Sequence, residues 1–255
     1  MRVLKDITSL QRWRGNQNEI AFVPTMGALH AGHMSLVQKA QQAVDTTLVS
    51  IFVNPTQFDK PSDLDNYPDN LQDDLKQLEA AGVKAVYTPD TAQIYPNGDR
   101  FKISENQLSN QFCGAHRPGH FEGVLTVVMK LLQLVKPDYL VLGEKDYQQL
   151  LLIKALIKEF FLNTQVIACP TVRDHDGLAL SSRNQRLTKA ELNLAPMLYQ
   201  TLIDEVDLES KRGRLQSLGF NVEYLQTYQG RLLAAVYLGD VRLIDNVSLP
   251  GESNE

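Results

Sequence analysis

Residues 20–33 read Ile20-Ala21-Phe22-Val23-Pro24-Thr25-Met26-Gly27-Ala28-Leu29-His30-Ala31-Gly32-His33. Ile20 to Val23 form a short apolar run, the pattern of a buried strand. Pro24, Gly27 and Gly32 interrupt it, and apolar residues return at Leu36, Val37, Ala40, Ala43 and Val44, spaced as one face of a helix. A strand that feeds a glycine-bearing turn and then a helix is the opening unit of an α/β fold. Free backbone N–H groups at such a helix start favour anions.

The alternation repeats outward from this stretch. Thr47 to Val53 is rich in β-branched residues and reads as a strand. A polar, proline-bearing loop leads to a helix from about Asp69 to Ala81, and Val83 to Thr88 returns to strand. Val124, Val127, Val128, Leu131, Leu132 and Val135 make a second helical stripe. Tyr139 to Leu142 is a strand, Tyr147 to Phe161 a helix and Gln165 to Ala168 a strand. Strands alternating with helices predict a doubly wound, Rossmann-like parallel sheet covered on both faces, with ligands beyond the carboxyl ends of its strands. After about Pro170 the texture changes. Thr188 and Glu191 have capping-box spacing, Pro196 kinks or breaks the helix they start, and Asn221 to Thr227, Leu232 to Leu238 and Val241 to Ile244 read as strands. The expected organisation is a nucleotide- and substrate-binding domain over 1–170 and a small C-terminal α+β lid domain over 171–255, with a frayed polar tail after Pro250.

Composition excludes several classes. A net charge of −5, without clustered Lys and Arg, does not suit a protein that tracks nucleic-acid phosphates. Cys113 and Cys169 stand far apart with no CxxC pair, so two free thiols and a reducing compartment are expected. The start of the chain has no signal-peptide pattern, and no apolar run approaches a membrane span, which predicts a soluble cytoplasmic protein. No group of His, Asp and Glu has metal-ligand spacing.

The candidate chemistry lies near the strand ends. His30 and His33 flank Gly32 at the strand–helix junction, and imidazoles placed there can donate to phosphate oxygens as charge develops. A glycine turn with two surface histidines is the plain alternative, but two of the five histidines beside one glycine favour a site. Lys145 follows Gly143 and Glu144 at a strand end; Asp146 is placed to cap the next helix, or to contact ribose or a metal. Ser181, Ser182 and Arg183 gather two hydroxyls and a guanidinium, a set that suits phosphate. Gln57 and Gln149 carry amides that both donate and accept, as a hydroxy-acid requires. His116, Arg117 and His120 form a third cationic cluster that is not expected to be catalytic, since Pro118 and Gly119 also suit a structural turn, and His175 and Asp176 read as a solvated loop.

Residues 24–33 resemble the HxGH motif of the nucleotidyltransferase superfamily, which includes class I aminoacyl-tRNA synthetases. The longer string PTMGALHAGHMSL is similar to the signature of the pantoate–β-alanine ligase (pantothenate synthetase) family. Further segments resemble the family in order: Ser50 to Phe58, His116 to Phe121, Gly143 to Gln149, Leu180 to Asn184 and Arg242 to Asn246. The resemblance spans almost the whole chain. It implies an ATP-dependent ligase that activates pantoate as an acyl-adenylate and joins it to β-alanine, releasing AMP and pyrophosphate. It further implies ATP contacts from Met26, Gly27, Ala28, Leu29, His30, Ala31, Gly32 and His33, from Gly143, Glu144, Lys145 and Asp146, from the backbone of Val172, and from Leu180, Ser181, Ser182 and Arg183. His33, as a proton donor, His30 and Lys145 are the implied catalytic residues. Pantoate is implied at Gln57 and Gln149, with Gln57 also near β-alanine, Asn54 in support and Tyr67 lining the pocket. Mg2+ accompanying ATP and a homodimer follow from the resemblance alone. Ile203 to Gly219 is shorter than the family leads one to expect. Two other readings remain: a nucleotidyltransferase that keeps its activated product, against which Gln57 and Gln149 speak, and a non-catalytic nucleotide-binding protein, against which the full set of phosphate-type residues speaks.

Overall fold

The structure, a computed structural model, describes residues 1–59, 61–68 and 70–249. It divides into two compact units: Met1–Glu144 with Gln148–Cys169, and Lys145–Tyr147 with the chain from Pro170 onward. The first unit runs β1 (Arg2–Leu4), α1 (Ile7–Arg14), β2 (Ala21–Thr25), α2 (Ala31–Ala43), β3 (Thr47–Ile51), α3 (Pro61–Asp65), α4 (Leu71–Ala80), β4 (Ala85–Tyr87), α5 (Thr91–Ile94), α6 (Phe112–His116), α7 (His120–Val135), β5 (Tyr139–Gly143), α8 (Tyr147–Glu159) and β6 (Gln165–Cys169). Tyr147, the first residue of α8, groups with the second unit.

All six strands are parallel, in the order β1-β4-β3-β2-β5-β6. From β2 the winding moves one way to β3 and β4, and the other way to β5 and β6. Reversal of this kind opens a crevice at the carboxyl ends of the two strands where it occurs. The doubly wound sheet read from the sequence is therefore present, with its switch point between β2 and β5. Side chains alternate across a strand. Ala21, Val23, Val49, Ile51, Val86 and Val141 share one core cluster with Val37 and Ala40 of α2 and Leu78 of α4. The alternate residues Phe22, Leu48 and Leu140 turn to the other face and are fully buried. Each such side chain contributes roughly 1.5–3 kcal/mol by leaving water. Eleven of the sixteen residues of α7 are buried, so its apolar surface extends beyond a single stripe, and α1 packs against it.

Several boundaries differ from the sequence reading. β3 stops at Ile51 because Asn54 already opens a short 3-10 helix, Pro55–Gln57. β1, α1, α5 and α6 are too short or too polar to announce themselves by periodicity, although Asp6 caps α1 by accepting from the Ser9 N–H at 2.7 Å. α4 begins at Leu71; Asp69, where the sequence suggested its start, and the tail from Pro250 lie outside the described residues.

The second unit contains α9 (Lys189–Leu194), α10 (Met197–Ile203), α11 (Leu208–Ser217) and the antiparallel sheet of β7 (Asn221–Tyr228), β8 (Arg231–Leu238) and β9 (Val241–Ser248). The capping box is formed, with Thr188 N–H donating to Glu191 at 2.7 Å and Glu191 N–H to the Thr188 hydroxyl at 3.3 Å. Pro196 separates α9 from α10. Leu198, Leu202, Leu215, Phe220, Leu232 and Val236 centre its core. The segment read as compressed, 203–219, holds α11. Its Lys211, only 4 % exposed, donates to the carbonyls of Thr201, Leu202 and Asp204 and so satisfies the carboxyl end of α10.

Gly123 of α7 lies directly against the backbone of the 3-10 helix. A Cβ built there would stand 2.3 Å from the Thr56 carbonyl oxygen and 2.8 Å from the Gln57 nitrogen. Neither neighbour is a flexible side chain, so Gly123→Ala must displace one element. The substitution is expected to cost about 1–3 kcal/mol, the range for overpacking. Urea unfolding should show this as a lower midpoint with an unchanged slope.

Candidate active site

The turn after β2 is built around two successive residues with left-handed backbone, Gly27 (φ +81°) and Ala28 (φ +51°). Glycine adopts this region freely; for alanine it costs roughly 1–2 kcal/mol. The turn is held by side chains. Thr25 Oγ1 accepts from the Gly27 N–H at 3.2 Å and donates to the Ser50 carbonyl at 2.7 Å. Asp74 of α4, 1 % exposed, accepts from Ala28 N–H on Oδ2 and from Leu29 N–H on Oδ1, both at 2.8 Å.

His30 and His33 then cap α2 with their own rings. Gly32 N–H donates to His30 Nδ1 at 3.1 Å, and His30 N–H donates to His33 Nδ1 at 3.3 Å. A ring nitrogen that accepts carries no proton, so both neutral imidazoles hold their N–H on Nε2. The ring centroids lie 4.1 Å apart. This corrects the reading of the turn as a set of free backbone donors. The N–H groups of Gly27, Ala28, Leu29, His30 and Gly32 all donate within the protein.

Asn54 follows β3 and is 1 % exposed. Its Oδ1 accepts from Tyr95 Oη at 2.8 Å and from Thr56 Oγ1 at 3.0 Å. Its Nδ2 donates to the Gly123 carbonyl at 3.3 Å and to Gln57 Oε1 at 3.0 Å. The Gln57 amide is thereby oriented: its oxygen is engaged and its Nε2 lies 3.1 Å from Met26 Sδ, a weak acceptor. The structure thus brings Gln57, Asn54 and Met26 together. Tyr67 stands edge-on to Phe58, with ring centroids 5.7 Å apart, beside the same segment.

Arg117 and His120, set aside by the sequence as a structural turn, buttress Gln57 from its backbone side. The Gln57 carbonyl can only accept, so His120 donates to it from Nδ1, at 2.8 Å, and receives Arg117 Nη1 on Nε2, at 3.1 Å. Arg117 also pairs with Asp59 at 2.7 Å. Burial would raise the Asp59 carboxyl, but the hydrogen bond and charge of Arg117 outweigh it and hold its pKa below the ordinary carboxylate value. His116 ends α6 and is exposed; His175 and Asp176 are exposed, as the sequence suggested. Tyr95 and Asp74 were not legible as site residues, because their partners lie 41 to 46 positions away in sequence.

Gly143 ends β5, the strand beside β2, Glu144 opens the short 3-10 helix that follows, and Gln149 lies partly buried in the first turn of α8. Its neighbour Gln148 is buried and fully engaged, accepting from the Cys113 N–H and donating to the carbonyls of Leu108 and Gln111. Neither Cys113 nor Cys169 is joined in a disulfide.

The remaining candidates belong to the second unit. Asn246 of β9 donates to the Lys145 carbonyl at 3.1 Å and accepts from Arg231 at 2.6 Å, and Arg231 stacks 4.5 Å over the Tyr147 ring. The segment carrying Lys145 is thus fixed from β9, with the Lys145 ammonium 3.9 Å from the Asp146 carboxylate. Val172 accepts from the Leu180 N–H at 3.0 Å. Ser181 caps a short 3-10 helix by accepting from the Arg183 N–H at 3.3 Å, which leaves its O–H as a donor; Ser182 and Arg183 are half-buried. Arg173 forms a two-pronged pair with Asp245, at 2.5 and 2.8 Å, and lies 3.7 Å over the Tyr199 ring. Among the described residues no three His, Cys, Asp or Glu side chains gather as a metal site.

The chain matches the family model described as Pantoate-beta-alanine ligase over residues 2–248. It is 47 % identical to the pantothenate synthetase of Francisella tularensis subsp. novicida over 246 residues, covering 95 % of this chain and 94 % of the relative. It is 50 % identical to that of Francisella philomiragia over 231 residues, 89 % and 88 % of the two chains. The crystal structure of pantoate-beta-alanine ligase from Francisella tularensis, complexed with beta-gamma ATP and β-alanine, superposes with a TM-score of 0.93 at 45 % identity, covering 97 % of each chain. Pantothenate synthetase from Thermus thermophilus superposes at 0.92 with 36 % identity, covering 98 % of this chain and all of that one. With nearly full coverage on both sides, the short 203–219 segment is no departure from these relatives.

The Arg173–Asp245 pair should dominate the local stability of the second unit. Its carboxylate side chain is 2 % exposed. Asp245→Ala leaves a desolvated guanidinium unpaired and is expected to cost about 3–5 kcal/mol. Asp73→Ala, which removes a pair exposed at 71–76 %, should cost less than about 1 kcal/mol. Chemical denaturation of the two variants side by side measures the contrast.

Proposed function

The chain belongs to the pantoate-beta-alanine ligase family, and from that premise we propose how its residues divide the reaction. The protein is an ATP-dependent ligase that condenses pantoate with β-alanine to pantothenate. In the first half-reaction a pantoate carboxylate oxygen attacks the α-phosphorus of ATP, and the bond to pyrophosphate breaks. In the second, the neutral amine of β-alanine attacks the acyl carbon of the pantoyl-adenylate, and AMP leaves with the bonding pair. A carboxylate is a poor acyl donor, and adenylation supplies the leaving group it lacks.

The observation that carries the assignment is the capping geometry of His30 and His33. Each ring accepts a backbone N–H on Nδ1, which places its own proton on Nε2, in the turn at the sheet's switch point. Such donors stabilise charge on phosphate oxygens as it develops, and they are fixed before the substrate arrives. His33 serves in addition as proton donor. Lys145, Ser181, Ser182 and Arg183 supply cationic and hydroxyl donors to the phosphates, with Gly143, Glu144 and the backbone of Val172 completing the nucleotide contacts. Gln57 binds pantoate through Nε2, the end of the amide that Asn54 does not hold, and Gln149 supplies a second amide. Phosphate oxygens would supply most of the ligands to Mg2+ accompanying ATP, with Asp146 as the carboxylate that the matched segment could offer, and the ion would supply neutralisation of phosphate charge. The same proposal places the protein in the cytoplasm, which two cysteines outside any disulfide support, and makes it a homodimer with residues 171–255 acting as a lid. Among the described residues no helix is long and apolar enough to cross a membrane.

If adenylation precedes amine attack, labelled pyrophosphate exchanges into ATP with pantoate present and β-alanine absent. His33→Ala should lower kcat by about a hundredfold or more, the scale for losing one preorganised donor. Lys145→Ala should suppress exchange, whereas Gln149→Ala should weaken pantoate binding far more than ATP binding. Exchange that strictly required β-alanine would replace the free-standing adenylate with a concerted or amine-gated route. A near-normal kcat in His33→Ala would remove that residue from the mechanism.

A further inference from the structure

Successive backbone N–H groups in a left-handed turn form a small concavity that binds anions. The turn after β2 has this shape at Gly27 and Ala28, and the anion that fills it is the chain's own Asp74. Both carboxylate oxygens are used, one for each N–H, at 2.8 Å. The side chain reaches the turn from the first helical turn of α4, and the residue is 1 % exposed. The fit is close: a Cβ at Gly27 would meet Asp74 Oδ2 at 3.0 Å and Ile51 Cγ2 at 3.1 Å. The residue directly after the two bonded N–H groups is His30, whose ring caps α2 and whose own N–H is held by His33.

We propose that Asp74 is a positioning residue for adenylation, fixing through the Ala28 and Leu29 N–H groups the backbone that sets where His30 and His33 present their Nε2 donors. A buried carboxylate beneath a turn that serves anionic phosphates is electrostatically unfavourable for the ligand. Its retention there is explained by geometry, since one planar group with two acceptors satisfies two adjacent N–H groups and holds Ala28 in a conformation that alanine does not choose. A neutral amide cannot do the same, because one of its two ends donates and would face an N–H. The inference rests on the proposed roles of the two histidines, and it adds a requirement: loss of Asp74 should impair the phosphate-transfer half of the reaction selectively.

Asp74→Asn keeps the volume and removes one acceptor; Asp74→Ala empties the concavity. The variants are compared with wild type in pantoate-dependent pyrophosphate exchange, and in the reaction of supplied pantoyl-adenylate with β-alanine. Asp74→Asn is expected to lose about tenfold to a hundredfold in exchange, the range for a small misplacement of catalytic groups, while supplied adenylate reacts within about threefold of wild type. In Asp74→Ala, formate, which restores a planar pair of acceptors, should recover exchange saturably, whereas formamide should not; wild-type exchange should respond to neither. Exchange in Asp74→Asn within about threefold of wild type would overturn the proposal. So would an equal fall in both half-reactions together with a lower thermal midpoint, since that marks a purely structural role. If Asp74→Ala is insoluble, the split measured in Asp74→Asn decides alone. Absence of exchange in the wild type would instead count against the proposed adenylate chemistry, and so the two failures are distinguishable.

Discussion

The placement of β2 between β3 and β5 is the constraint on which the rest of the first unit depends. In a parallel sheet each crossover must return along one face, and the hand of the crossover decides which. Because β3 and β5 extend the sheet in opposite directions from β2, the crevice at their carboxyl ends is left open between diverging connections. The turn that carries His30 and His33 leaves β2 at this place, and Gly143 and Glu144 leave β5 beside it. The sheet alone puts these segments side by side; the side-chain network only refines them.

That refinement differs from the usual picture of a glycine turn. Anion sites of this kind commonly offer backbone N–H groups to a phosphate. Here the backbone donors are engaged by Thr25, Asp74, His30 and His33, and the polar face passes to imidazole nitrogens. An imidazole donor can also return or receive a proton near neutral pH, which an amide cannot do. The turn thereby exchanges rigid backbone donors for side-chain donors, and then fixes those side chains by using their second nitrogen as a cap.

What the sequence made legible follows from how far each signal reaches along the chain. The β2–turn–α2 unit, the stripe of α7, the capping box at Thr188 and the break at Pro196 are local patterns, and all four are present. α11 was missed because its apolar positions do not form a stripe: Leu215 is buried, Leu208 is exposed, Lys211 is buried through its hydrogen bonds, and apart from Gly213 the remainder is charged or polar. β1 is three residues long and takes its place from pairing with β4, some 80 positions later. The histidines, Gln57 and the Lys145 segment could be named from motifs. Asp74 and Tyr95 could not, since an isolated Asp or Tyr has an ordinary surface reading and only the fold reveals which group it faces; His120 lay within a matched segment, but its bond to the Gln57 carbonyl was not legible.

On the proposed assignment of Gln57 to pantoate, its orientation bears on why an amide would stand where a cation would bind a hydroxy-acid more tightly. An arginine would pair with the pantoate carboxylate in two places and stabilise it as an anion. That carboxylate is the nucleophile of the proposed first step, so ground-state stabilisation of its charge would raise the barrier it must cross. In the proposed assignment, a neutral Nε2–H donor would position the acid at less cost to its nucleophilicity. Asn54, Thr56 and Tyr95 serve this arrangement by engaging Oε1, directly or through one another, so that the amide does not turn its acceptor toward the acid. Cationic groups belong instead where negative charge accumulates during the reaction, at the phosphates, and in the proposed assignment Lys145 and Arg183 act there. On this argument the division between neutral amides for the acid and cations for the phosphates is a consequence of which group must attack and which must be attacked.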